Sequence, residues 1–287
     1  MSAVPAATAP LRVRVGSTDH RTLLAQFFLD TYHEYVPEKL DWPALSATEL
    51  TRLTGLPFWQ EAVSTEAVTS ATVAAAAALE ADIQVRKAIE LQGFEEQRHA
   101  RLLTALTSHY GIPIEPPPPF TPCSLEDDFL FAGFGECFDS FFAFGLFALA
   151  RESGYFPPQL VRIFEPVMQE EARHILFFVN WVKARRGQLP WWRRPAFRAR
   201  CGWIILKQLA SRVKTARALG NGRKESSENF TLTAHQEVAA AVTVHALLGK
   251  CLEENDRRLS QYDPRLLRPR LVPGLARLLY RLLPASI

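Results

Sequence analysis

The pattern of apolar and polar positions along the chain predicts an all-α protein. Apolar residues recur at intervals of three and four, and no Gly or Pro occurs from Phe58 to Gln92. The first predicted helix covers Asp19 to Tyr35. Its apolar side chains at helical spacing are Leu23, Leu24, Phe27, Phe28 and Tyr32. A capping-box spacing at Ser46–Glu49 then predicts a short helix that stops at residues 55–57.

Four longer helices follow, and their connections indicate a four-helix bundle. They are predicted over residues 57–79, 82–110, 125–152 and 158–186. Asp82 is a good N-cap for the second of them. A proline-rich stretch at 113–119 separates the second helix from the third. Such a long, stiff connection lets the second helical hairpin begin at the same end of the bundle as the first.

Beyond residue 186 the sequence becomes basic and additional helices are expected. Gly187 to Pro195 breaks the helical pattern. A basic helix at 196–219, a polar loop at 220–229, a helix at 231–259 and a Leu/Arg-rich tail are predicted after it. The chain is thereby divided into a leader at 1–18, N-terminal packing helices at 19–56, the bundle at 57–186 and a C-terminal extension at 187–287.

Composition and charge narrow the class of protein. The 287 residues are 48% hydrophobic with a formal net charge of +3, which gives room for a sizeable core and little support for nucleic-acid binding. The four cysteines form no Cys-x-x-Cys pair and no signal-peptide pattern opens the chain, so a reducing, cytoplasmic location is expected. The run from Phe129 to Ala150 is long enough to span a membrane, but Glu136 and Asp139 favour a buried bundle helix.

A repeated pentapeptide carries the candidate chemistry. Glu95-Glu96-Gln97-Arg98-His99 recurs as Glu170-Glu171-Ala172-Arg173-His174, and both 171 − 96 and 174 − 99 equal 75. Residues i and i+3 share a face of a helix. Each copy can therefore direct one carboxylate and one imidazole to the same metal ion, as in two-metal helical bundles.

The two remaining ligands are expected on the first and third long helices, because a two-metal bundle site takes one Glu from each. Glu136 lies among Phe and Gly, where an isolated charge needs a partner. On the first helix two residues compete. Glu61 lies 75 positions before Glu136 and fits strict duplication. Glu66 lies 15 positions before Ala81, the centre of the turn, and Glu96 lies 15 after it. We predict Glu66 as the ligand and keep Glu61 in reserve.

The twin motifs, with the helices from 57 to 186, resemble the ferritin-like di-iron carboxylate proteins, especially their oxygen-activating branch. The resemblance implies two iron ions, with manganese or a mixed pair as alternatives, and dioxygen as the oxidant. The implied ligands are Glu66, Glu96, His99, Glu136, Glu171 and His174. Glu95 and Glu170 would orient the metal-bound histidines, and Arg98 and Arg173 would balance their charge. By spacing alone, these four residues fit an exposed salt-bridged face equally well.

Departures from the family pattern bear on function. Radical-bearing ribonucleotide reductase subunits have a tyrosine four residues beyond the first histidine, where this chain has Leu103, with Phe178 at the second position, so no stable tyrosyl radical is expected. The second His-containing motif disfavours an iron-storage ferritin. We expect an oxidase or hydroxylase with an electron-donor protein, or alternatively a non-catalytic metal-binding or iron-handling protein. The third helix carries phenylalanines that fit a dry substrate pocket or ordinary core: Phe138, Phe141, Phe142, Phe144 and Phe147.

The basic segment 183–217 raises a separate question. It contains eleven Lys or Arg and no acidic residue, interleaved with Trp191, Trp192 and Trp203. This composition fits a helix on an anionic membrane surface, a docking face for an acidic partner such as a reductase or acyl carrier protein, or a packing helix with a solvated basic side. The Leu/Arg-rich tail allows the same three interpretations. We expect a cytoplasmic protein, peripheral to the membrane under the first interpretation. The sequence leaves the oligomeric state open, and a dimer is compatible with it.

Overall fold

Helices account for all the regular structure in the described part of the chain. The computed structural model describes residues 13–117, 119–121, 123–220 and 243–284, with the main chain alone for 215–220. No strand occurs in these ranges, which confirms the all-α prediction. The helices there are α1 Thr18–Asp30, α2 Ala47–Thr54, α3 Trp59–Ala76, α4 Ile83–His109, α5 Leu125–Glu152, α6 Pro158–Gln188, α7 Arg194–Gly220, α8 Val244–Leu259 and α9 Leu271–Leu282. Short 3-10 turns occur at Pro37–Lys39, Ala77–Leu79 and Trp191–Arg193.

The four long helices α3 to α6 pack as two antiparallel pairs, α3 with α4 and α5 with α6. The first pair is close at Gly93, where a Cβ atom would lie 3.0 Å from the main-chain nitrogen of Ala74. Ser70 Oγ donates a hydrogen bond of 3.1 Å to the carbonyl oxygen of Gly93. In the second pair, a Cβ atom on Gly133 would lie 2.3 Å from the ring of Phe178. Small residues thus let the helices approach closely enough for facing side chains to converge.

Local sequence signals set several helix ends as predicted. Ser46 and Glu49 form both hydrogen bonds of the capping box at the start of α2. Asp82 caps α4 by accepting hydrogen bonds from the main-chain nitrogens of Gln84 and Val85. The bounds of α5 coincide with its predicted range. The end of α3 differs slightly, because its predicted last three residues form a 3-10 turn instead.

The prediction that α1 extends to Tyr35 is wrong, since the helix ends at Asp30. The Oγ1 of Thr31 donates to the carbonyl oxygen of Phe27 at 2.7 Å. The guanidinium of Arg173, on α6, donates to the carbonyl oxygen of Phe28 at 2.6 Å and to Thr31 Oγ1 at 2.9 Å. A tertiary contact thereby satisfies the end of the helix, and the non-helical residues 31–36 follow a separate path past α4 and α6.

The C-terminal helices pack on α5. α7 runs alongside it and buries Phe197, Cys201 and Ile204. α8 is close to α5 at Gly145, where a Cβ atom would lie 2.3 Å from Cys251 Sγ, and α9 packs on α8. The predicted leader residues 1–12, most of the predicted polar loop and the predicted helical residues 231–242 lie outside the described residues. The four-part division of the chain stays a prediction.

Two helical segments are long and apolar enough to cross a membrane by length and composition alone. They are Trp59–Leu79 and Leu125–Glu152. Buried positions make up 39% of the apolar window of the first and 61% of that of the second. The second is α5, whose Phe129 and Phe144 lie in the bundle core. This packing agrees with the predicted bundle helix.

Candidate metal centre

Six of the predicted site residues converge inside the bundle in two groups that could hold metal ions. The first group comprises Glu66, Glu96, His99 and Glu171. The second comprises Glu96, Glu136 and His174. In each group, one candidate ligand atom per residue lies within 4.8 Å of all the others. Helices α3, α4, α5 and α6 all contribute, and Glu96 belongs to both groups.

The two histidines direct the same ring nitrogen into these groups. His99 Nδ1 lies 3.3 Å from Glu171 Oε1, and 3.7 Å from both Glu66 Oε2 and Glu96 Oε2. His174 Nδ1 lies 2.8 Å from Glu96 Oε1. Neither Nδ1 forms a well-aligned hydrogen bond to any described residue. Ligands around one ion approach each other to about 3 Å when metal–ligand bonds are about 2.1 Å long, so these separations suit a shared cation.

The other ring nitrogen of each histidine contacts the glutamate that precedes a candidate ligand on the facing helix. His99 Nε2, on α4, lies 2.8 Å from Glu170 Oε2 on α6. His174 Nε2, on α6, lies 2.9 Å from Glu95 Oε2 on α4. A carboxylate accepting a hydrogen bond from Nε2–H fixes the neutral tautomer in which Nδ1 is free to bind a metal. Each copy of the repeat thus supplies the glutamate that contacts the histidine of the other copy.

Two buried arginines complete this arrangement. Arg98 Nη2 lies 2.5 Å from Glu170 Oε1, and Arg173 Nη1 lies 2.8 Å from Glu95 Oε1. The exposed fraction of Arg98 is 0% and that of Arg173 is 2%. The two glutamates are equally buried, so these residues do not form an exposed salt-bridged face. Although burial raises the pKa of Glu95, its hydrogen bond to His174 and the charges beside it hold that pKa below the usual value.

The candidate ligands differ in how easily they ionise. Although burial raises the pKa of Glu96, the two histidines beside it hold that pKa well below its usual value. Burial, together with the charges of Glu96 and Glu171, raises the pKa of Glu136 well above its usual value. Burial is also the main cause that raises the pKa of Glu66 to about 7. Burial lowers the pKa of His99 and His174, but the surrounding carboxylates outweigh it and raise both. Several acids so close together cannot all ionise at low cost unless a positive charge joins them.

Glu136 is the clearest sign of a missing partner. Both of its carboxylate oxygens are buried, and neither has a hydrogen-bond partner among the described residues. Buried carboxylates in proteins are normally paired, hydrogen-bonded or bound to a metal. On α3, the structure places Glu66 in a group and leaves Glu61 outside both, among the described residues. Which of them binds metal stays part of the proposal below.

Sequence reasoning missed three residues that contact the site. Ser140 Oγ donates to Glu171 Oε2 at 2.8 Å, and Gln92 Nε2 lies 3.5 Å from Glu96 Oε1. Both could have been found, because each stands four positions from a predicted ligand on its own helix. Tyr35 donates to Glu170 Oε2 at 3.3 Å, and burial raises its pKa to about 12. No local pattern pointed to Tyr35.

The aromatic residues of α5 belong largely to the core. Phe138, Phe141 and Phe144 are buried within apolar clusters, as the packing interpretation predicted. Phe178 of α6 packs edge-on against Phe129 and Phe134. These contacts account for the phenylalanines as packing residues of the bundle.

Comparison with protein-family models, with curated proteins and with solved structures found no match to this chain.

Proposed function

We propose that this chain is a ferritin-like di-iron carboxylate protein that activates dioxygen for an oxidase or hydroxylase reaction. The observation that carries the proposal is the crosswise pairing of the repeated motifs, in which Glu170 holds His99 and Glu95 holds His174. Four helices supply the carboxylates around these histidines. Ion pairs that only stabilise a fold do not require the Nδ1 atoms of two histidines to face a shared carboxylate without a well-aligned hydrogen bond.

The donor set fits iron or manganese. All six side chains offer oxygen or imidazole nitrogen, the ligands that hold these metals in both of their common oxidation states. Neither group contains a cysteine among the described residues, so no thiolate is offered to the ions. The unpartnered oxygens of Glu136 and the Nδ1 atoms of both histidines are the atoms that the ions would satisfy.

A bound pair of such ions supplies sites for dioxygen and the electrons that reduce it. The protein's own residues prepare for this in three ways. Glu66 and Glu136 would hold the cations as carboxylates, because a bound cation would offset the burial that chiefly raises their pKa values. Glu95 and Glu170 keep each Nε2–H in place, and the arginines beside them fix the position of each glutamate carboxylate. Ser140 fixes one oxygen of Glu171.

Metal analysis of the reconstituted protein tests the binding claim. We expect about two iron ions per chain in the wild type and fewer than one in His99→Ala/His174→Ala. His109→Ala, at the end of α4 and outside both groups, is the matched control and should retain two. Absence of bound iron and manganese in the folded wild type would contradict the proposal.

Oxygen consumption separates an enzyme from a metal-binding protein. With reductant present, the iron-loaded chain should consume many equivalents of dioxygen per site, and the double histidine variant should not. Consumption that stops after one equivalent, with ferric iron retained, would favour the alternative iron-handling function. Both outcomes leave the metal site intact, so this experiment tests the activity alone.

A further inference from the structure

The outer face of α7 carries large apolar side chains that point to solvent, beside Lys207 and Lys214. We define it by Trp203, Leu206 and Val213 of α7 and by Trp192 of the 3-10 turn before it, whose exposed fractions are 60%, 59%, 48% and 52% in that order. The opposite side of the same helix is already buried against the bundle through residues such as Ile204. A helix packed on one side normally presents polar residues on the other. Large exposed apolar side chains in a row instead mark a surface with a partner.

Cations on the inner side of this region are paired with acids of α5. Arg212 Nη2 lies 2.5 Å from Asp139, and Arg200 contacts Asp127 and Glu126. These pairs account for the packing of α7 on α5. They do not provide a carboxylate partner for the cations on the outer side and at the start of α7.

Seven cations at the end of α6, in the 3-10 turn that follows and on α7 have no carboxylate oxygen of a described residue within 4.0 Å. They are Lys183, Arg186, Arg193, Arg194, Arg198, Lys207 and Lys214. Two of them lie over tryptophan rings, Arg193 at 5.5 Å from the centroid of Trp192 and Lys207 at 5.6 Å from that of Trp203. Positive charge is thereby placed next to the exposed indoles rather than neutralised within the fold.

Four of these cations surround a cavity at the start of α7. The cavity has a volume of about 320 Å³. Its lining includes Lys183 and Arg186 from the end of α6, Arg194 and Arg198 from α7, and Trp191. Like charges converge here without an acid, which costs free energy unless an anion enters. Arginine and lysine around a small cavity at the start of a helix suit the phosphate of a ligand.

The occupant that best fits both features is an anionic lipid surface. A second copy of the chain would oppose cations with cations in any symmetric contact through this face. The apolar side chains from Trp203 to Val213 follow one side of α7 over roughly 15 Å at 1.5 Å per residue, and a row along a single helix suits a flat surface better than a protein groove. Exposed tryptophans beside Lys and Arg are typical of segments at the headgroup level of a bilayer.

We propose that the outer face of α7 docks this protein on the surface of an anionic phospholipid bilayer. The indoles of Trp192 and Trp203, with Leu206 and Val213, enter the boundary between headgroups and acyl chains. The cavity at the start of α7 holds a lipid phosphate. This association is separate from metal binding and places the bundle beside apolar molecules dissolved in the membrane.

Sedimentation of the full-length protein with vesicles tests the proposal. We expect binding to phosphatidylcholine vesicles that contain phosphatidylserine, weaker binding at high salt, and little binding to phosphatidylcholine alone. Brominated lipid should quench tryptophan fluorescence, and Trp203→Ser should reduce that quenching. Inorganic phosphate should displace the protein more effectively than chloride at equal ionic strength.

Matched variants separate this surface from the rest of the molecule. Leu206→Ser should weaken vesicle binding about tenfold, whereas Leu50→Ser, the same substitution at an exposed leucine of α2, should not. Arg186→Gln/Arg198→Gln should weaken it tenfold or more, whereas Arg52→Gln/Arg101→Gln should not.

Several results would overturn the proposal. One is failure to bind phosphatidylserine vesicles at low salt. Another is equal weakening by the α7 variants and their controls. A third is binding without quenching by brominated lipid, with acidic peptide or DNA competing as well as lipid, which would assign the face to a soluble polyanion. Iron content measured in parallel is expected to be unchanged in every α7 variant.

Discussion

The centre of the bundle and the outer face of α7 differ in whether their positive charges are paired with carboxylates. At the centre, Arg98 and Arg173 are buried, and each is held by a glutamate that also holds a histidine. On α7, cations such as Arg198 and Lys214 stay at the surface with no carboxylate beside them, next to exposed apolar side chains. Buried charges here are fixed in one geometry, whereas the surface charges remain available to a partner. The first arrangement suits a metal site, and the second suits an interface.

The largest expected effect comes from breaking the buried pairs. Arg173→Met removes the 2.8 Å ion pair to Glu95, which keeps only the 3.7 Å contact to Arg98, and it removes the contacts to Phe28 and Thr31. We therefore expect a loss of about 3–5 kcal/mol in the free energy of unfolding. Urea denaturation of the metal-free protein measures this. Arg277→Met, which removes an exposed contact to Asp256, should cost less than about 1 kcal/mol.

A double variant checks the reason for that loss. Glu95→Gln/Arg173→Met removes both charges and should be more stable than Arg173→Met alone, because no uncompensated charge is left buried. An equal or greater loss in the double variant would mean that packing, and not charge, dominates at this position.

The second effect is a pH dependence of the metal-free protein. The pKa of Glu66 is raised to about 7 in the folded chain, so its contribution to stability is present below pH 4.5 and lost as the pH rises to about 7. Glu66→Gln lacks this ionisation and should gain stability relative to the wild type over that interval, by about 3 kcal/mol at most. Thermal melts across pH 4.5 to 8 measure the difference. Metal-loaded wild type should not show the loss. A difference in stability between Glu66→Gln and the metal-free wild type that stays constant across this pH range would contradict the prediction.

A glycine pair gives the third and smaller effect, with opposite signs in the two regions. Gly133→Ala places a Cβ against the ring of Phe178 and should cost about 1–3 kcal/mol. Gly202→Ala, on α7, meets no atom within 4 Å and should stabilise the protein by about 0.5–1 kcal/mol, because alanine favours a helix. Denaturation midpoints of the two variants provide the test. Destabilisation by both variants would mean that α7 is packed more tightly at Gly202 than its contacts indicate.

The smallest effect on stability is expected at the outer face of α7. Leu206→Ser should change the free energy of unfolding by less than about 0.5 kcal/mol, because this side chain is 59% exposed. The same variant should bind vesicles about tenfold more weakly. A large loss of stability would show that Leu206 belongs to the packed part of the molecule.

Much of the architecture could be predicted from local sequence. The range of α5 and the caps at Ser46 and Asp82 follow from signals within a few residues. The convergence of Glu96 and Glu171 could be predicted because they occupy the same position in the two copies of the repeat, and the two copies lie on helices of one bundle. Helical periodicity and duplication are both properties of the chain alone.

Other features depend on contacts that no local pattern encodes. The end of α1 is fixed by Arg173, a residue 143 positions beyond Asp30 (173 − 30), so the propensity of residues 31–35 was a poor guide. As a consequence Tyr35 could not be placed beside Glu170. The pairing of Glu95 with the histidine of the other motif came from a family resemblance, since its spacing fits an exposed ion pair equally well.

The central claim is that the two groups share Glu96 and hold two ions side by side. X-ray absorption spectroscopy of the iron-loaded protein tests it most directly. We predict oxygen and nitrogen neighbours at about 2.1 Å, no sulfur, and a second iron at about 3.5 Å. A single iron without a neighbouring metal, or iron bound through sulfur, would contradict the account.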